Sequence, residues 1–226
     1  MSVSTQPPPA PAPKKSGLGC LGCGCLILAL LAVLFLALVG AGIYGVYSQF
    51  IAITSTVPLA VPAFDGGDEM YNTAKQKLSD FDHDLQNHVA AKLELSGDEI
   101  NTLIARQPAF TQSKTLLYVS VANNEATIQL SLPTGLISDG YVTGRYLNAT
   151  SSFGLDFDAD NKTLMPDLHD LQIGEKAMPK NVLPALQSEF TPVLNGLLQG
   201  DPEGKLVLNQ AKSIRIENDE LVIETQ

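Results

Sequence analysis

The chain has no tryptophan and only three histidines, and its three cysteines are confined to Cys20, Cys23 and Cys25. Each scarcity excludes something. Without a cysteine after Cys25, no disulfide holds the C-terminal body together. With His83, His88 and His169 as the only imidazoles, the usual hydrolytic and redox toolkits are thin. No Ser/His/Asp elbow, H-E-x-x-H helix, phosphate loop or dinucleotide glycine pattern is present, and no catalytic residue or cofactor site is assigned. Charge is also absent over a long stretch: none of either sign lies between Lys15 and Asp65.

An apolar run, CLILALLAVLFLALVGAGIYGVY from Cys25 to Tyr47, fills that gap. At roughly 1.5 Å rise per residue it is long enough to cross a hydrocarbon core of roughly 30 Å, so it is expected to be a single transmembrane helix. A cleaved signal peptide is the competitor, but such apolar stretches are usually only about 7 to 15 residues. Lys14 and Lys15 are the only basic residues before Lys75. The positive flank should therefore stay cytoplasmic and place the body outside the cytoplasm, in the periplasm or at the cell surface.

All 24 acidic residues lie at or after Asp65, and removing Lys14 and Lys15 from the 14 basic residues leaves 12, a net of −12 for the body. Such a surface is a poor match for nucleic acid or for anionic headgroups, and nucleic acid is excluded as a partner. The expected organisation is a disordered Pro-rich cytoplasmic tail over 1–19, the transmembrane helix over 20–47, a linker over 48–67 marked by Pro58, Pro62, Gly66 and Gly67, and an extracytoplasmic α+β domain over 68–226.

Cys20, Cys23 and Cys25 sit at the inner start of the apolar helix. They read first as small residues packing there, second as sites of S-acylation. A zinc site would need four ligands, and the histidines lie beyond the membrane. The lipoprotein pattern fails on order, since its cysteine follows the apolar region. Ala37, Ala41 and Gly45 share one helix face and suggest close approach of two helices in a homodimer; the plainer reading is that small residues are common in membrane helices.

In the body, Tyr71, Ala74, Leu78, Phe81, Leu85, Val89 and Leu93 recur at three- and four-residue steps and predict a long amphipathic helix opening at Asp68. Ser96 and Glu99 form a capping-box pattern for a second helix carrying Ile100, Leu103 and Ile104 and ending before Pro108. Strands follow. TLLYVSVANNEATIQLSL predicts a hairpin turning at Asn123 and Asn124, and residues 144–174 a second hairpin turning near Asp160 and Asn161, with Phe153, Leu155 and Phe157 facing inward. Residues 181–200 read as a helix interrupted by Pro184 and Pro192, and two short terminal strands flank a turn at Asn218, Asp219 and Glu220. The expected fold is α+β, with helices packed on an antiparallel β-meander.

Two acidic clusters invite chemistry. Asp156, Asp158, Asp160 and Asp167 fall at positions 1, 3, 5 and 12 of a calcium-loop spacing. Asn161 replaces the loop glycine, Asp167 replaces the bidentate glutamate, and no helices flank it, so a solvated hairpin edge is the preferred reading. Asp80, Asp82, His83, Asp84 and His88 read as the solvent side of the first helix, with Asp84 and His88 spaced for a weak ion pair. Asn148-Ala-Thr150 and Asn161-Lys-Thr163 match the glycosylation sequon, which matters only in a eukaryote.

The order of parts resembles the YpmS-like family of bacterial membrane-anchored proteins of unknown function, through the N-terminal anchor, the helix LSGDEINTLIA (Leu95–Ala105), the paired strands and LQIGEKAMPKNVLPAL (Leu171–Leu186). The helix before Leu95 and the cysteine-rich anchor start depart from it. The resemblance implies an extracytoplasmic α+β domain without a known catalytic centre. A helix laid on a curved sheet would enclose an apolar groove. The leading expectation is thus a non-enzymatic, membrane-tethered envelope domain that binds an apolar ligand, such as a lipid, or a protein partner. The alternatives are a hydrolase or calcium-dependent enzyme in which two or more of Asp156, Asp158, Asp160, Asp167 and Asp170 converge, and a scaffold or signalling protein acting through the Pro-rich tail.

Overall fold

The structure is a computed structural model that describes residues 53–108, 110, 115–136 and 143–226. The apolar run, the three cysteines, the face of Ala37, Ala41 and Gly45, and the Pro-rich tail lie outside the described residues. Among the described residues no helix is long and apolar enough to cross a membrane. The described part of the body is α+β, with antiparallel sheets and four helices of nine residues or more.

The first strand among the described residues is the two-residue β1 (Thr54–Ser55); α1 (Gly67–Gln86) follows, and its Ala74, Leu78, Phe81 and Leu85 form a buried stripe. The expected helix is therefore right in face and too long at its end. His88 takes a left-handed φ of 55°, with its N–H donating to the Leu85 carbonyl at 3.2 Å and the Val89 N–H to that of Asp84 at 2.9 Å. That pair of bonds is a Schellman stop. Val89 is consequently exposed, and Leu93 belongs to a strand, β2 (Lys92–Ser96), where Leu93 and Leu95 are the buried alternate positions.

Ser96 ends β2 and caps α2 (Gly97–Ala105). Its Oγ accepts from the Glu99 N–H at 3.2 Å while a Glu99 carboxylate oxygen accepts from the Ser96 N–H at 3.0 Å, the reciprocal box the spacing predicts. The first hairpin is β3 (Leu116–Ala122) and β4 (Glu125–Pro133), turning on Asn123 and Asn124 at φ 55° and 61°. A 3₁₀ turn (Thr134–Leu136) follows, then β5 (Tyr146–Asp158), β6 (Thr163–Ile173) and the short β7 (Lys176–Ala177). In the β5–β6 turn it is Lys162, not Asp160 or Asn161, that takes the positive φ. Phe153, Leu155 and Phe157 are buried as expected.

α3 (Leu183–Gly200) absorbs both prolines: Pro184 sits in its first turn, where no N–H is needed, and Pro192 lies inside it without ending it. α4 (Pro202–Gln210) was not anticipated; Asp201 caps it by accepting from the Gly204 N–H at 2.8 Å. β8 (Ala211–Glu217) and β9 (Glu220–Thr225) close the chain around Asn218 and Asp219.

The strands form two sheets in place of one meander. β3-β4-β5-β6-β7 is the larger, with β1 paired to the start of β5, and β2-β9-β8 is the smaller. β8 lies against β5, and the two hairpin tips meet where the Asn123 N–H donates to Asp219 at 2.7 Å. One continuous apolar core joins both sheets and all four helices. Replacing Ser96 with alanine removes the cap that turns β2 into α2. Equilibrium denaturation is expected to show a loss of about 1 kcal/mol; a loss under a few tenths would mean that α2 is held by packing alone.

Candidate ligand cleft and the acidic face

Both long edges of the larger sheet are met by a helix through one device. On β3, the Asn101 side chain of α2 donates to the Val119 carbonyl at 2.7 Å and accepts from the Val119 N–H at 2.8 Å. On β6, Asn195 of α3 donates to the Leu164 carbonyl at 2.9 Å and accepts from its N–H at 2.8 Å. Both asparagines are buried. Each carboxamide takes the place of a neighbouring strand. Main-chain groups of alternate residues point off an edge strand, so at the edge of β6 the next outward positions are 166 and 168. Pro166 has no N–H to satisfy, and the Leu168 N–H donates to Gln187 of α3 at 3.2 Å. No outward N–H at these three positions is left open.

The β3 edge differs. Its outward positions are Leu117, Val119 and Val121. Asn101 holds Val119, and α2 presses on Val121, where a side chain on Gly97 would come within 3.2 Å of the Val121 nitrogen. At Leu117 the helix has turned away, and the main-chain N–H and C=O have no hydrogen-bond partner among the described residues.

A cleft of about 250 Å³ opens at that place. One wall is β3 from Thr115 to Tyr118, the second is α2 at Asn101, Ile104 and Ala105, and the third is chain segment Val61–Phe64, with Phe110 also lining it. The third wall comes from the stretch expected to be a linker. Its described part is bonded to the body as a strap. Arg145 holds Thr54 through the side chain and the carbonyl. Asn148 donates to the Val57 carbonyl at 3.0 Å and accepts from the Leu59 N–H at 3.0 Å, beside Ser131. At the far end the Gly66 N–H donates to Thr102 at 3.1 Å, and a side chain at Gly66 would strike Thr102 and Met70 within 2.5 Å. Arg106 adds ion pairs to Asp65 at 3.3 Å and Asp68 at 2.6 Å, and lies over the Tyr71 ring at 4.8 Å. The strap is thus pinned at both ends and bridges the cleft between them.

The acidic residues lie elsewhere. Asp158 accepts from the N–H groups of Asp160 and Asn161 at 3.0 Å and from the Asn161 side chain at 2.7 Å; those bonds, the Asn161 side chain first, lower its pKa. Its carboxylate is committed to the turn. Asp160 is exposed, Asp156 accepts from the neighbouring Phe157 N–H at 2.8 Å, and Asp170 is exposed on β6. Asp167 joins His169 instead, with the His169 Nε2 at 3.1 Å from Asp167 and Nδ1 at 2.9 Å from Glu125. Among the described residues no three His, Cys, Asp or Glu side chains are placed to share a metal ion. On α1, Asp80 and Asp82 accept from Gln76 and Gln86, and Asp84 meets His83 at 3.4 Å; the anticipated Asp84–His88 pair gives way because His88 forms the helix stop. The sequon asparagine Asn148 is buried and holds the strap, whereas Asn161 is exposed in its turn.

A second apolar surface, Val193 and Leu197 on α3, is 48% exposed at each residue. The asparagine bridges and the strap escaped the sequence reading. Their one signal was a lone Asn inside each apolar helix stripe, beside Ile100 and beside Leu194. Comparison with known proteins returned no match to a family model, a curated protein or a solved structure.

With both ring nitrogens against carboxylates, His169 is held above its ordinary pKa, first by Asp167 and then by Glu125. The protonated ring stabilises the fold fully below about pH 6.5, the unfolded value, and that contribution disappears as pH rises through the higher folded value. The site is part-exposed, so the effect is below about 1 kcal/mol. His169→Gln should flatten the decline in stability as pH rises above about 6.5, followed by denaturation; an unchanged pH profile would contradict this. Asn101→Leu, which leaves two main-chain groups of Val119 unpaired, is expected to cost about 2–4 kcal/mol by the same measurement.

Proposed function

We propose that the protein is a non-enzymatic, membrane-tethered domain of the bacterial cell envelope that binds an apolar group in the cleft between α2, β3 and the strap. The observation that carries this reading is the cleft itself: a largely apolar opening lined by Phe64 and Phe110 at the margin of the apolar core. Its volume lies below the roughly 300–1,000 Å³ of sites for drug-sized ligands. It suits one or two apolar side chains or the end of an alkyl chain, not a whole lipid. The tether rests on the Cys25–Tyr47 run and the sidedness on Lys14 and Lys15. The strap adds a consequence, because it places one wall of the cleft on the segment leading from that run.

The hydrolase and calcium-enzyme alternatives gain no support from the acidic residues. Asp156, Asp158, Asp160, Asp167 and Asp170 do not line the cleft; Asp158 is bonded within its turn, Asp167 to His169, and Asp156 to the neighbouring Phe157 N–H on β5. A photoactivatable alkyl diazirine added to the full chain tests the reading. Labelling is expected on Val61–Phe64, α2 and β3, and Ala105→Trp, which fills the cleft, should reduce it at least about tenfold. Labelling spread over the surface, or unchanged by a folded Ala105→Trp variant, would overturn it.

A further inference from the structure

We propose that the cleft is one half of a peptide-binding site, and that its occupant is an extended, basic-flanked segment of a protein partner that pairs with the β3 edge at Leu117 and seats an apolar side chain between α2 and the strap. This rests on the cleft being a binding site and adds what kind of ligand it takes. Three observations meet here.

The first is the contrast between the two sheet edges. At β6 every outward position down to Leu168 is bonded to a helix side chain or is a proline. At β3 the same treatment stops at Val119, and Leu117 presents a donor and an acceptor side by side. An exposed edge is ordinarily covered, because it templates another strand. Among the described residues Leu117 is the outward position of β3 that has no hydrogen-bond partner and borders the apolar cleft.

The second is chemistry. An N–H and a C=O at one strand position are satisfied together by a peptide main chain in the geometry of strand addition, with side-chain pockets supplying selectivity. An alkyl chain has neither group. The cleft also has the size for a side chain, about 250 Å³.

The third is charge. The body holds 24 acidic against 12 basic residues. A segment carrying lysine or arginine on either side of its apolar residue is drawn to such a surface, and an acidic one is repelled.

The probe is a nine-residue peptide with a central leucine among β-branched residues and two lysines at each end, added to the full chain. Three twins accompany it: one with the five central amides N-methylated, one with glutamates for the lysines, and the alkyl diazirine. The lysine peptide should bind and slow exchange of the Leu117 amide at least about tenfold, while the N-methylated and glutamate twins each lose at least about tenfold in affinity. Equal binding by the N-methylated twin, or peptide binding without protection at Leu117, overturns strand addition. Labelling of the cleft by the diazirine with no peptide binding overturns this inference and leaves the cleft reading standing; failure of both removes both.

Discussion

The fold depends on two buried carboxamides that act as substitute strands. Asn101 and Asn195 each lie in the apolar stripe of a helix, where an unpartnered amide would be costly, and each is satisfied by one residue's N–H and C=O at a sheet edge. The interaction works in both directions. It pays for burying the asparagine and it prevents the edge from recruiting a foreign strand. It also sets helix position, since two hydrogen bonds to one residue fix both height along the strand and distance from it.

The position of α2 in turn creates the cleft. α2 is nine residues long and lies close to β3 at Gly97, and its far end departs from the strand near Leu117. The strap lines the third side, held by Asn148 and Ser131 at one end and by Thr102 and Arg106 at the other. Two of those four anchors, Thr102 and Arg106, belong to α2 and its C-terminal cap. The wall, the floor and the helix are therefore one mechanical unit. A ligand in the cleft would touch all three.

What was legible in the sequence was local. The two hairpins, the buried Phe153, Leu155 and Phe157, and the Ser96–Glu99 cap follow from neighbours within a few residues, and the structure agrees with each. β2 was misread because Leu93 continues the helical spacing of α1; its strand character comes from β9, far away in sequence at Leu221–Glu224. α4 was hidden by weak amphipathicity, although Asp201 before Pro202 is a start signal. The strap looked like a linker because its proline and glycine content says nothing about Asn148, on a strand 89 residues beyond Leu59. The acidic clusters were read as solvated surface, and the bonds of Asp158 and Asp167 show the local reasons. The cleft had no sequence signature at all, since its three walls come from separate parts of the chain.

The most direct measurement is residue-resolved amide hydrogen exchange on the unliganded full chain. Amides bound by the asparagine carboxamides, at Val119 and Leu164, are expected to exchange slowly, and the Leu117 amide at least about tenfold faster than either. Protection at Leu117 equal to that at Val119 would mean that the edge is closed in solution, and the open β3 edge beside the cleft would be wrong.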